Sequence, residues 1–103
     1  MTDTISSINN VPIRLTDERW AHITEEHAEV AGRKYEVLET LKEPDFVVAG
    51  NAGECLAVKD ITRGKHLVVV YKELVADGFV ITAFLTRRLT NLQKRRLIWP
   101  LKD

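Results

Sequence analysis

Three histidines, one cysteine and a set of strand-end cations are the residues of this chain best suited to chemistry. Histidine moves protons near neutrality, because its ordinary pKa is about 6.5. His22 and His27 stand about 140° apart if both lie on one helix turning 100° per residue. They do not share a face, and the His-Glu-x-x-His zinc arrangement, which needs an i, i+4 pair, is not formed. No metal site is expected. His27 falls on the stripe of Trp20 and Ile23, so it faces inward. It is either a core histidine hydrogen-bonded to backbone or an acid or base held by packing where helix meets sheet. His22 sits on the polar side beside Arg19 and Glu26 and reads as solvated. His66 precedes a strand and reads as turn-associated. Cys55 alone builds neither a disulfide framework nor a thiolate site, and reads as a small apolar strand residue.

Two polar residues interrupt apolar strands. Lys59 follows Leu56-Ala57-Val58, and Thr82 lies between Val80-Ile81 and Ala83-Phe84. A buried ammonium or hydroxyl needs a partner. Lys59 either pairs with a nearby carboxylate or reaches water from an edge. Thr82 either bonds a neighbour within the sheet or turns its hydroxyl to a ligand. Arg87 and Arg88 end the last long strand, where guanidinium forks could grip a phosphate at the rim. Arg63 and Lys65 flank the turn glycine Gly64 and are assigned the same role. There is no phosphate-cradling Gly-rich loop and no Gly-x-Ser-x-Gly elbow, and no cofactor is expected.

These groups must be positioned by one small domain. A chain of 103 residues with 45% hydrophobic content holds one core. The net charge is zero, but residues 1–50 carry five Lys/Arg against ten Asp/Glu, and residues 51–103 carry ten against five. The basic half is either a phosphate-facing side, a solvated face or a patch that pairs with the acidic half. No apolar run approaches the roughly 20 residues that span a bilayer. Met1 to Asn10 is polar, lacks the pattern of a signal peptide and reads as a flexible lead-in. With a single cysteine, the expected location is the cytoplasm.

Pro12 to Leu15 is a candidate short strand. A first helix begins after Thr16, a good cap followed by Asp17 and Glu18, and stops by Gly32. A second covers Arg33 to Lys42, with Val37, Leu38 and Leu41 as its apolar stripe, and ends before Pro44. The period then changes to that of strands: Phe46–Gly50, Cys55–Ile61, His66–Leu74 and Phe79–Thr86. Asp77-Gly78 is a sharp hairpin signal. Leu89 to Arg96 is a short helix or an irregular return. The expected fold is α+β: two N-terminal helices packed on a four-stranded antiparallel sheet, with a possible short extra N-terminal strand. Residues 11–103 form its single domain. Two strands are apolar almost throughout, so both faces need cover. Trp99 or a partner subunit is the candidate for the second face.

The run Arg14-Leu-Thr-Asp-Glu-Arg-Trp-Ala-His22-Ile-x-x-x-His27 is followed by Leu38-Glu-Thr-Leu-x-x-Pro44-Asp45-Phe-Val, then Lys59, Leu67-Val-Val-Val and Gly78-Phe-Val-Ile-Thr82-Ala83-Phe84. In order and spacing this resembles the phage-associated branch of the barnase–EndoU–colicin–RelE nuclease fold, over about residues 13 to 99. The resemblance implies a metal-independent ribonuclease, a toxin or phage effector, with a barnase/RelE-like sheet. It implies a site made of His22 or His27, Lys59 and Thr82. It also implies RNA as substrate and an immunity or antitoxin protein as a partner. Here Lys59 stands where arginine is common, and the tail is more basic than usual. Two other readings remain open: a non-catalytic RNA- or ribosome-binding module, and a protein-interaction subunit such as a homodimer.

Overall fold

Thr16 sets the first helix. Its backbone is extended, and its Oγ1 accepts a hydrogen bond from the Arg19 N–H at 3.1 Å. That satisfies one orphan donor of the first turn. Helix α1 spans Asp17–Glu26, a single 3-10 turn spans Ala28–Val30, and α2 spans Lys34–Lys42. Gly32 joins the 3-10 turn to α2 at φ 81°, a left-handed conformation that suits glycine. A short helix, α3, covers Leu89–Gln93. This computed structural model describes residues 1–101.

Among the described residues seven strands form one mixed sheet: β1 Thr2–Ser6, β2 Pro12–Thr16, β3 Phe46–Ala49, β4 Cys55–Thr62, β5 Lys65–Glu73, β6 Gly78–Thr86 and β7 Leu97–Trp99. Their spatial order is β1-β2-β6-β5-β4-β3-β7. The expectation of two helices on a four-stranded antiparallel sheet is thereby corrected. The fold is α+β, but beyond the four strands and the short N-terminal strand expected, β1 and β7 widen the sheet, and one neighbour pair is parallel: Ile13 lies beside Gly78 and Arg14 beside Phe79.

Long-range polar contacts explain the widening. Thr2–Ser6, expected as a lead-in, pairs along its length with β2. The bend between them is held from afar: Ser7 Oγ donates to the Glu73 carboxylate, and Asn9 Nδ2 donates to its other oxygen at 3.0 Å. At the opposite edge β7 pairs with β3, and the Arg95 guanidinium donates to the Ala49 carbonyl at 3.2 Å. Gly78 needs no special φ. Its bare Cα matters because a Cβ there would collide with the Lys72 carbonyl oxygen and with Ile13 Cδ1.

Side chains of the sheet divide by parity. On one face Ile13, Leu15, Ala57, Leu67, Val69, Tyr71 and Ala83 pack against Ile23, Val30, Val37 and Leu41 of the helices. On the other face Val48, Leu56, Val58 and Val68 pack with Leu92 of α3. Each such aliphatic side chain contributes about 1.5–3 kcal/mol when fully buried. Trp99 joins the helix-side core, so the second face is covered by α3 instead. Beyond Phe79, β6 has no second strand partner among the described residues. There α1 and the 3-10 turn pack against it.

Candidate functional site

The residues singled out for a catalytic set do not converge. Lys59 lies opposite Leu67 in the β4–β5 register, so it points to the helix face. Its Nζ donates to the Glu43 carbonyl at 2.9 Å and stands 3.2 Å from the Glu39 carboxylate. The ammonium ties the end of α2 to the sheet. Thr82 lies opposite Val70, on the α3 face. Its Oγ1 is sealed from solvent and has no partner among the described residues. His22 is exposed on α1, and no hydrogen bond or ion pair holds it among the described residues.

His27 has a different setting. It ends α1, its backbone N–H bonding the Ile23 carbonyl at 2.7 Å, and opens the 3-10 turn. The turn runs beside the unpartnered stretch of β6. The imidazole rests against Phe84, ring centroids 5.8 Å apart and planes tilted by 39°. Its Nδ1 is 3.6 Å from the Glu29 carboxylate, an ion-pair distance too long for a hydrogen bond. A third of the side chain, 33%, meets solvent. His27 is thus packed on one side and wet on the other.

The cations predicted to hold phosphate do gather at this end of the sheet. Arg63 lies in the β4–β5 turn, Lys65 opens β5, and Arg87 and Arg88 follow β6. Gly64 has φ 75°, and a Cβ built on it would sit 4.0 Å from Arg87 Nη1. Lys65, Arg87, Leu85, Thr86 and Glu29 line one cleft of about 220 Å³. Arg88 turns to the other side of Thr86, into a neighbouring cleft. Its N–H donates to Thr86 Oγ1 at 3.0 Å. None of these four cations is ion-paired among the described residues. Unpaired cations at a strand end make a positive rim that attracts anions.

His66 is the residue that the sequence reading undervalued. It is the second residue of β5 and lies directly opposite Thr86. Its Nδ1 is paired with the Asp60 carboxylate, and 13% of its side chain is exposed. Phe84 and Thr86 are two residues apart on one face, a spacing of about 7 Å. His27 against the first and His66 beside the second therefore flank the same short stretch of β6. Each of these two histidines has a carboxylate near its Nδ1, Glu29 for His27 and Asp60 for His66.

Elsewhere the titratable groups serve the core. Burial pushes the Cys55 thiol above its ordinary value, and the Glu73 charge adds to this. Burial also drives the Tyr71 phenol far upward. The two face each other across β4 and β5 and stay neutral. Among the described residues no three His, Cys, Asp or Glu side chains converge as metal ligands, and no helix is long and apolar enough to cross a membrane. Comparison with known proteins finds no matching family model, no matching curated protein and no matching solved structure.

Proposed function

We propose that this protein is an RNA-backbone-binding nuclease whose site is the rim formed by the β4–β5 turn, the end of β6 and the 3-10 turn. The observation that carries the reading is the gathering of Arg63, Lys65 and Arg87, free of ion pairs among the described residues, at the sheet end where Glu29, 3.6 Å from the half-wet His27, lines the same cleft as Lys65 and Arg87. The resemblance to the phage-associated nucleases supports His27 in a proton-transfer role. The site residues differ from those it implied, since Lys59 and Thr82 lie on opposite faces of the sheet.

The chemistry follows from the substrate. RNA brings its own nucleophile, the 2′-OH. One histidine removes its proton as the oxygen attacks phosphorus, and the second protonates the departing 5′-oxygen. The products are a 2′,3′-cyclic phosphate and a 5′-hydroxyl, with no redox change and no added reactant. Lys65 and Arg87 stabilise the charge that builds on the phosphate oxygens. Asp60 pairs with the His66 Nδ1, and Glu29 lies 3.6 Å from the His27 Nδ1. A protein inhibitor of such a rim would cover it with carboxylates.

A binding module without cleavage is the second reading. It is favoured by the failure of Lys59 and Thr82 to join the histidines. Mixed RNA incubated with folded protein in a chelating buffer separates the two. The nuclease reading expects 2′,3′-cyclic ends that accumulate with time. Intact RNA across about pH 5 to 8, the range in which histidine titrates, rejects cleavage.

A further inference from the structure

The cleft on the other side of Thr86 has the make-up of a nucleobase seat. We infer that it takes one base of a single-stranded RNA whose backbone lies across the cationic rim. The inference deepens the proposed function and rests on it. The cleft holds about 210 Å³, with Leu56, Phe84 and Leu92 as its apolar floor. Asn91 and two guanidinium groups, Arg88 and Arg95, stand at its mouth. Asn91 makes no side-chain hydrogen bond among the described residues and is exposed, so its amide is available to the edge of a base. Arg95 is fixed in place, donating to the Asn51 Oδ1 at 2.8 Å and to the Ala49 carbonyl. Arg88 is unpaired among the described residues.

Two residues join this cleft to the proposed site. Thr86 lines both clefts. Phe84 lines the seat and also carries the His27 imidazole. A base resting on the floor places its own phosphate at Thr86, between the two clefts. Single-stranded RNA is the fitting class, because only an unpaired base swings out to lie on an apolar and aromatic surface. A paired duplex would present the rim with its backbone and leave the seat empty.

The test compares two fluorescent hexamers on the full chain: 2′-O-methyl hexauridylate, which cannot be cleaved, and an all-abasic hexamer with the same number of phosphates. The base-containing hexamer is expected to bind about tenfold more tightly, with a similar salt dependence. Asn91→Trp, which fills the mouth, is expected to bring hexauridylate down to the abasic level and leave abasic binding unchanged. Asn91→Ala, a milder change at the same exposed position, is expected to weaken hexauridylate alone. Equal affinities with salt-dependent binding retained would overturn the base seat and leave the phosphate rim standing. Variants that weaken both hexamers equally would overturn its location. Absence of binding to either hexamer at low salt would remove both the seat and the proposed function.

Discussion

Lys59 in β4 and Thr82 in β6 project from opposite faces of the sheet. Lys59 sits across from Leu67, against α2, and Thr82 across from Val70, on the α3 side. They also belong to different cross-strand rows, so no single ligand of modest size touches both. The ammonium of Lys59 acts on the fold. Lys59→Met is expected to lower stability by about 1 kcal/mol through loss of its bonds to Glu43 and Glu39. RNA turnover should stay at the wild-type level. Urea unfolding beside a cleavage assay checks both, and a hundredfold loss of turnover in a folded variant would return Lys59 to the site.

The histidines are expected to divide in the same assay. His27→Ala and His66→Ala should each reduce turnover by roughly 10²–10⁴-fold, the usual contribution of a proton-transfer group. His22→Ala should have no effect, since that imidazole is exposed on α1 and makes no hydrogen bond or ion pair among the described residues. A His22 variant that loses activity while His27→Ala keeps it would reverse the assignment.

Gly78 is a packing constraint at the point where the sheet becomes parallel. Gly78→Ala brings a methyl group against the Lys72 carbonyl and Ile13. Overpacking of this kind costs about 1–3 kcal/mol. The denaturant midpoint is expected to fall accordingly, and an unchanged midpoint would mean that β2 and β6 can separate freely.

Stability at alkaline pH is expected to be set by the buried pair Cys55 and Tyr71. Burial raises both above their ordinary values of 9.0 and 10.0. A group whose folded pKa is raised gives its full stabilisation below the unfolded pKa and loses it as pH rises through the folded one. The decline should therefore begin near the ordinary thiol value and continue past the ordinary phenol value. Urea midpoints from about pH 8 to about pH 10.5 should fall in the wild type, and Tyr71→Phe should flatten the upper part of that limb. A wild-type stability that is level across this range would contradict the burial of both groups.

Local signals in the chain were readable. Thr16 followed by two acids marked the start of α1, Pro44 the end of α2, and Asp77-Gly78 the last hairpin. Pairing over distance was not. Thr2–Ser6 alternates mostly polar residues, and nothing within it reveals that Ser7 and Asn9 meet Glu73. Parity puts Ala57 and Lys59 on one face, but the choice of the helix-covered face depends on the assembled sheet. The relation of Thr82 to Lys59 depends further on the bulge between Val70 and Tyr71, which shifts the β5–β6 register. His66 was masked by the turn before it: only the register opposite Thr86 brings it beside the end of β6 where His27 also rests.

The most direct test of the cationic rim is the salt dependence of binding to an uncleavable single-stranded RNA. Each rim cation that meets a phosphate releases counterions, so removing it should reduce the slope of log K against log salt by about 0.7. Arg63→Gln, Lys65→Gln and Arg87→Gln are each expected to show that reduction, and the triple variant roughly three times as much. A triple variant that binds with the wild-type slope would contradict the assignment of the RNA backbone to this end of the sheet.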